Sequence, residues 1–155
     1  MNIGAILSPT NVLVDIRAAD KSALLKDLAR RSAAGLGLAP DIILNALLKR
    51  EELGSTGLGD GIALPHTRLP EVTKPLGFLA RLRHGIDFNA IDGRKVDLVF
   101  LLLLPVAGRG DDLNALASVA RKLRDTDVRL RLRMAKDAPS LHQAIVEDCQ
   151  PPRAA

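Results

Sequence analysis

Residues 96–106 read VDLVFLLLLPV, the longest apolar run in the chain, interrupted only by Asp97 and Pro105. Within this run, residues 96–104 lack the alternation of a half-exposed strand, which predicts a strand that is covered on both faces. A helix that crosses a bilayer needs about 20 apolar residues. The run is shorter, so it predicts no membrane insertion.

Further strands are predicted on the N-terminal side of this run. In residues 76–83, LGFLARLR, the first, third, fifth and seventh side chains are apolar, as in a half-buried strand. Residues 12–16 and 62–64 predict two short strands, because both are apolar and are bounded by turn-forming residues. The pair Asp92-Gly93 indicates a turn between the last two strands.

Two helices are predicted between the first two strands. Asp20 can cap a helix that runs to about Ala34, where Gly35 stops it. A second helix begins near Pro40 and ends at Gly54. Both helices carry apolar side chains at helical spacing, namely Leu24, Leu25, Leu28 and Ala29 in the first and Ile43, Leu44, Leu47 and Leu48 in the second.

Three helices are predicted after the apolar run. Asp111 or Asp112 can cap the first of them. Residues 128–134 alternate like a strand, but Asp125-Thr126 resembles a helix start, and Arg and Leu favour helices, so we predict a helix. The inward side chains are expected to be Leu113, Leu116, Ala117, Ala120 and Leu123 in the first helix and Leu141 and Ile145 in the last.

The composition is typical of one globular domain. The chain has 155 residues, 47% hydrophobic and 26% charged, which is enough to bury a core. With no repeat or linker, residues 1–150 are expected to form one domain, followed by a short tail, residues 151–155. Helices that cover a mixed sheet give an α/β fold class.

A single cysteine, Cys149, excludes an intrachain disulfide and a cysteine-based zinc site. The first residues, MNIG, carry no basic segment before an apolar one, unlike a signal peptide. We therefore expect a cytoplasmic protein.

The net charge of +4 and the pI of about 9.6 indicate nucleic-acid binding only weakly. Aromatic residues make up 2% of the chain, with no Trp or Tyr, so stacking platforms for bases are nearly absent. We expect no nucleic-acid partner. The basic residues concentrate between Arg121 and Arg133, which predicts either a solvated helical face or a docking surface for an acidic protein.

A glycine-rich loop, GSTGLGDG at residues 54–61, separates the second helix from the strand at 62–64. Its amides, together with the hydroxyls of Ser55 and Thr56 and the freedom that Gly57 gives the backbone, could cradle an anion. The alternative is a helix end followed by a turn. A dinucleotide site is excluded because the loop follows a helix, and no Gly-Lys-Ser/Thr ending of a P-loop is present.

His66 follows Pro65 at the end of the predicted strand 62–64, so it should project from a rigid edge. Imidazole is a good nucleophile near neutral pH and can attack phosphorus directly. Phosphoryl transfer needs mainly positioning and positive charge, which Arg50 and the loop amides could supply. The alternative is a structural histidine.

The other two histidines are weaker candidates. His84 is expected at a strand end facing solvent, and His142 on the surface of the last helix. No pair of histidines has the spacing of metal ligands, so we predict no metal site.

Residues 50–66, REELGSTGLGDGIALPH, are similar to the signature of the fructose/mannitol-type IIA domains of the bacterial phosphotransferase system. The likeness extends from Val12 to about Asp148. It includes FNAID at residues 88–92 and VDLVF at residues 96–100. Within that family the chain most resembles the nitrogen-regulatory branch.

The resemblance implies a mannitol-IIA-type sandwich, with a mixed sheet of about five strands flanked by helices. His66 takes the place of the phosphorylated histidine and Arg50 that of the arginine that stabilises the phosphate, with Ser55, Thr56 and Gly57 in support. The donor would be the phosphocarrier NPr or HPr, charged ultimately from phosphoenolpyruvate, with no cofactor. The regulated targets would include regulators of potassium transport.

One position departs from the family pattern. Many members carry a second histidine at the start of the third helix, where this chain has Asp112. An aspartate there could repel a phosphoryl dianion, or accept a hydrogen bond from the imidazole and fix its tautomer. The simplest role for Asp112 is the helix N-cap.

Three functions remain open from the sequence. The first is a regulatory phosphocarrier, favoured because no fused membrane or IIB domain is visible. The second is a sugar-branch component that passes phosphate to a IIB domain for fructose or mannitol uptake. The third is a binding module in which His66 is never phosphorylated, which only Asp112 suggests.

Overall fold

The computed structural model describes residues 2–107 and 110–147, with the backbone alone at residues 111–113. Within these ranges the helices are α1 Ile3–Ile6, α2 Lys21–Leu36, α3 Pro40–Glu52, α4 Gly110–Arg124, α5 Thr126–Met134 and α6 Ala138–Val146. The strands are β1 Val12–Ile16, β2 Gly57–Gly59, β3 Ile62–Ala63, β4 His66–Leu69, β5 Leu76–Ile86 and β6 Val96–Pro105. A short 3₁₀ turn, Pro9–Asn11, precedes β1.

The strands form one mixed sheet in the order β1-β5-β6-β3-β2, and β4 also pairs with β6. β1 runs parallel to β5, and β5 runs antiparallel to β6. β3 and β4 are both parallel to β6 and lie in line along it, with Ile62 opposite Leu98 and His66 opposite Leu102. β3 and β4 are therefore two parts of one interrupted strand. Because they count separately, the sheet has six strands where about five were expected.

β6 separates the two halves of the core, and its side chains alternate between them. Val99, Leu101 and Leu103 pack with α2 and α3 on one face. Leu98 and Phe100 pack on the other face with α1, α4, α5 and α6. The prediction of a strand covered on both faces is confirmed. The half-buried strand predicted at residues 76–83 is wrong for residues 77–80, which are all buried. Both faces of β5 are covered, since Phe78 and Ala80 pack in one half of the core and Leu79 in the other.

Two helix ends differ from the predicted ones. α2 passes through Gly35 and ends at Gly37, whose φ of 66° is the left-handed conformation that closes many helices. Asp20 is its N-cap as predicted and accepts a hydrogen bond from the amide of Ala23. α3 ends at Glu52, two residues before the predicted end at Gly54.

The start and the inward face of α4 also differ from the prediction. The helix begins at Gly110, which places Asp111 and Asp112 in its first turn and not at its N-cap. The buried described residues are Ala115, Val119 and Leu123, whereas Ala117 is exposed. The predicted inward residue Leu113 lies outside the described side chains.

The ambiguous segment at residues 128–134 is helical, as predicted. Asp125 caps α5 through the amides of Asp127 and Val128, and Val128 and Leu132 are buried at helical spacing. α6 buries Leu141 and Ile145, which confirms the expected last helix, and Ala144 with them.

Part of the basic stretch 121–133 is structural, a role that the sequence analysis did not consider. Arg129 donates to the carbonyl oxygen of Arg124 at 2.6 Å and thereby closes the end of α4. Arg133 holds Asp97 at 2.9 Å through its guanidinium. Among the described residues, no helix combines the length and the apolar character that a membrane crossing requires.

We predict that Gly77→Ala destabilises the fold. A Cβ atom at this position would lie 2.6 Å from Cε1 and Cζ of the fully buried Phe100 ring. Overpacking of this kind typically costs about 1–3 kcal/mol. We expect the free energy of unfolding to fall by this amount, and urea denaturation measures it.

Gly35→Ala is the matched control. No described atom lies within 4 Å of a Cβ atom at this helical position, so the same change should raise the free energy of unfolding by about 0.5–1 kcal/mol. A Gly77→Ala variant as stable as the wild type would contradict the close packing of the Phe100 ring against Gly77.

Candidate functional site

The break between β3 and β4 positions His66. Leu64 leaves the line of β6 and donates its amide to the carbonyl oxygen of Thr56 at 3.0 Å, while Pro65 accepts from the amide of Leu102 at 2.9 Å. Proline has no amide hydrogen to continue the ladder. His66 is thus the first residue of β4, and not the end of a strand as the sequence suggested.

The break also turns the Leu64 carbonyl toward the imidazole. Nδ1 of His66 lies 2.8 Å from this carbonyl oxygen. Because a carbonyl can only accept, Nδ1 must carry the proton. Nε2 then holds a lone pair and is the nucleophilic nitrogen.

The surroundings of His66 favour the neutral imidazole. Burial is the main cause that lowers its pKa below the ordinary 6.5, and the charges of Arg50 and Arg68 lower it further. The hydrogen bond to Leu64 and the charge of Glu51 oppose this shift without cancelling it. At neutral pH the ring is therefore mostly uncharged and able to attack an electrophile.

His66 lines a cavity of about 220 Å³. Among the described residues that line the cavity are one cation, two hydroxyl-bearing residues and an apolar wall to which α4 contributes. These described residues are Arg50, Ser55, Thr56, Leu58, Leu64, His66, Leu116 and Ala120. A group bound there would meet the imidazole of His66, the positive charge of Arg50 and apolar side chains.

Arg50 comes from the last turn of α3. Its Nη1 donates to the carbonyl oxygen of Gly54 at 2.9 Å, which orients the half-buried side chain toward the cavity it lines. A guanidinium has five N–H donors, so it can keep this bond and still bind an anion.

Both hydroxyls of the glycine-rich loop, and the amides of Thr56 and Gly57, already have partners. Ser55 donates its hydroxyl to the carbonyl oxygen of Phe88 at 2.7 Å and accepts from the amide of Gly57 at 3.0 Å. Thr56 gives both its amide and its hydroxyl to Glu51. This arrangement favours support of the site over direct contact with an anion.

Gly57 is required for a close approach of two loops. A Cβ atom there would lie 2.9 Å from the Cβ atom of Ala90. The loop after β5 therefore packs directly on the loop that carries Ser55 and Thr56, and it fixes that loop from outside.

Sequence reasoning missed three residues behind the cavity, namely Lys21, Glu51 and Phe88. The side chain of Glu51 is 7% exposed and pairs with Lys21 at 3.4 Å. The ammonium of Lys21 lies 4.6 Å from the centroid of the Phe88 ring. Glu51 and Phe88 lie in the two stretches that carry the family resemblance, residues 50–66 and 88–92, and this was the available signal. The pairing with Lys21 was not predictable, because Lys21 is distant from both in sequence.

Of the other predicted residues, Asp112 has a side chain outside the described residues, so its relation to His66 stays a prediction. His84 is exposed, as expected. His142 is half-buried, with Nε2 3.0 Å from the carbonyl oxygen of Leu7, so its expected surface role is wrong. In the described ranges, no cluster of three or more His, Cys, Asp or Glu side chains could hold a metal ion.

Comparison with known sequences gives consistent matches. Residues 5–148 match the family described as "Phosphoenolpyruvate-dependent sugar phosphotransferase system, EIIA 2". The nitrogen regulatory protein of Bradyrhizobium diazoefficiens is 40% identical over 145 residues, which cover 94% of this chain and 95% of that protein.

Solved structures agree. The nitrogen regulatory protein IIA-Ntr from Neisseria meningitidis superposes with a TM-score of 0.87 at 31% identity, over 92% of this chain and 98% of that one. IIA mannitol from Escherichia coli superposes with a TM-score of 0.74 at 21% identity, over 89% and 97% of the two chains. The second likeness shows the fold alone, and it confirms the expected mannitol-IIA-type sandwich.

We predict that His66 titrates below pH 6.5, the ordinary value for imidazole. Arg50→Gln should raise this pKa because it removes a nearby positive charge, whereas Arg50→Lys should preserve the low value. NMR titration of the imidazole ring measures all three. A wild-type pKa at or above the ordinary value would contradict the described environment.

The same shift has a consequence for stability. The pKa of His66 is lower in the folded protein than in the unfolded chain, so the unfolded chain binds the proton more tightly. The free energy of unfolding should therefore decrease as the pH falls from the pKa of the unfolded chain to that of the folded protein.

Proposed function

Because the chain belongs to the EIIA 2 family of the phosphoenolpyruvate-dependent sugar phosphotransferase system, we propose that it is a phosphocarrier that accepts a phosphoryl group on Nε2 of His66. The observation that carries this proposal is the hydrogen bond from Nδ1 to the Leu64 carbonyl, which leaves Nε2 as the free nucleophile. Arg50, in the same cavity, supplies positive charge.

The transfer step follows from this geometry. The Nε2 lone pair attacks the phosphorus of the donor's phosphohistidine, and the phosphorus–nitrogen bond on the donor breaks with its electron pair returning to the donor imidazole. The proton stays on Nδ1 of His66, where the Leu64 carbonyl stabilises the positive charge that the ring acquires. Arg50 stabilises the equatorial phosphoryl oxygens.

The donor that we propose is NPr or HPr, charged ultimately from phosphoenolpyruvate. The support is the relative of 40% identity, which is named a nitrogen regulatory protein and is matched over nearly its whole length. We place this exchange in the cytoplasm, in keeping with the single cysteine. No metal, cofactor or nucleic acid is part of the reaction.

Phosphorylation of His66 would regulate partner binding by changing the charge of the cavity. A phosphoryl group on His66 adds about two negative charges to a cavity with the apolar side chains Leu58, Leu64 and Leu116. A partner that buries these side chains would bind the unphosphorylated form better, because a buried charge without a partner is costly. We propose that regulators of potassium transport are among these partners.

We predict that the protein gains the mass of one phosphoryl group when it is mixed with phosphoenolpyruvate, the first enzyme of the system and NPr or HPr. His66→Ala should gain nothing, because the acceptor nitrogen is gone. Intact-mass spectrometry measures both, and the modification should be labile in acid, as a phosphoramidate is.

His84→Ala is the matched control for this experiment. His84 is exposed and lies in β5, away from the cavity residues, so the variant should accept phosphate like the wild type. No mass gain with either donor would contradict the proposal and leave the chain as a binding module. Efficient onward transfer to a IIB domain for fructose or mannitol would point to the sugar branch.

We predict that the unphosphorylated protein binds its regulatory target at least about tenfold more tightly than the phosphorylated one, since roughly 1.4 kcal/mol corresponds to a factor of ten. Titration calorimetry with a purified potassium-transport regulator measures both forms. His66→Ala, treated with the same phosphorylation mixture, should keep the tight binding. Equal affinities of the two forms would exclude the switch.

A further inference from the structure

A buried carboxylate lies directly behind the histidine cavity. The side chain of Glu51 is 7% exposed and accepts two hydrogen bonds from Thr56, one from its amide at 3.0 Å and one from its hydroxyl. Thr56 itself is 4% exposed. Two charge-assisted hydrogen bonds in such a buried place fix both residues firmly.

The charge of Glu51 is compensated within the protein. Nζ of Lys21, in the first turn of α2, lies 3.4 Å from Oε2 of Glu51 and 4.6 Å from the centroid of the buried Phe88 ring. The carbonyl oxygen of Phe88 accepts the hydroxyl of Ser55. A negative charge beside a site for a phosphoryl dianion would repel it, and this pairing with Lys21 reduces the repulsion.

A continuous path of hydrogen bonds joins this carboxylate to the imidazole. The Thr56 carbonyl accepts from the amide of Leu64 at 3.0 Å, and the Leu64 carbonyl accepts from Nδ1 of His66 at 2.8 Å. Glu51 holds the other side of Thr56. Glu51, which is not among the residues that line the cavity, is thus linked through Thr56 and Leu64 to the imidazole.

We propose that Glu51, paired with Lys21, is a positioning residue that fixes the tautomer and orientation of His66 by clamping Thr56 against the backbone of Leu64. Its effect on phosphoryl transfer rests on the function proposed above, whereas its effect on the imidazole does not.

A carboxylate suits this role better than an amide. Both oxygens of Glu51 accept hydrogen bonds, so they can satisfy the two Thr56 donors and the ammonium of Lys21 together. In Glu51→Gln one oxygen becomes an NH₂ group, which can only donate. One Thr56 donor and the Lys21 charge then lose their partner, while the size and shape of the side chain stay the same.

The test begins with the imidazole, in the absence of any phosphoryl donor. Nitrogen-15 NMR of His66 in the wild type should show one tautomer, with the proton on Nδ1. Glu51→Gln should show a mixture of both tautomers. Glu51→Asp keeps the charge and should restore part of the preference. The exposed neighbour Glu52→Gln is the matched control and should behave like the wild type.

Thr56→Val provides a second variant in case Glu51→Gln folds poorly. It removes the hydroxyl half of the clamp, keeps the amide half and preserves the shape of the side chain. It should shift the tautomer in the same direction as Glu51→Gln, but less.

The transfer rate is measured second, with phosphorylated NPr as the donor. A loss of positioning should lower kcat of Glu51→Gln by roughly 10- to 100-fold and change KM by less than about twofold, because the docking surface is intact. Glu52→Gln should match the wild type.

The outcomes separate the two proposals. A single Nδ1-protonated tautomer in folded Glu51→Gln, or a shifted tautomer with an unchanged kcat, would overturn the positioning role. If the wild type accepted no phosphoryl group, the proposed function would be contradicted. The tautomer measurement alone would then test whether Glu51 positions His66.

Discussion

The hydrogen bond between Nδ1 of His66 and the carbonyl oxygen of Leu64, 2.8 Å long, is the contact on which the site depends. It assigns the proton to Nδ1 and leaves the lone pair on Nε2. The bond exists because the strand paired with β6 is interrupted at Leu64-Pro65, where the chain leaves the ladder and returns to it at His66. The imidazole is therefore positioned by a strand of the sheet and not by a free loop.

The rest of the structure holds this break in place. β6, buried on both faces, supplies the register for the segments before and after it. α3 brings Arg50 to the front of the cavity and Glu51 to the back of the glycine-rich loop. Two successive residues of one helix thus lie on opposite sides of the site, Arg50 lining the cavity and Glu51 bonded to Thr56. The loop after β5 packs on Gly57 and closes the arrangement from outside.

The elements that follow from local pattern were predictable. The run at residues 96–104 indicated a strand covered on both faces. The helix start at Asp125 correctly predicted that α5 is a helix in spite of its strand-like alternation.

Contacts between distant segments were not predictable. From the sequence, Gly35 and Gly37 are equally good helix ends, and the structure shows that Gly37 adopts the left-handed conformation that closes α2. The motif predicted His66 and Arg50 as site residues, and the structure brings them to one cavity. The Lys21–Glu51 pair joins residues 30 positions apart, for which no local rule exists. The expected surface role of His142 was wrong because its ring lies 3.0 Å from the carbonyl oxygen of Leu7, near the other end of the chain, a contact that no local pattern predicts.

The central claim is that Nε2 of His66 is the nitrogen that bears the phosphoryl group. Phosphorus-31 NMR of the protein, phosphorylated enzymatically with phosphoenolpyruvate and carrier, tests it most directly, since the two phosphohistidine isomers resonate at different positions. The account predicts one signal at the position of Nε2-phosphohistidine, absent in His66→Ala. A signal of Nδ1-phosphohistidine would show that the Leu64 hydrogen bond does not direct the chemistry, and the absence of any phosphohistidine signal would contradict the phosphocarrier function itself.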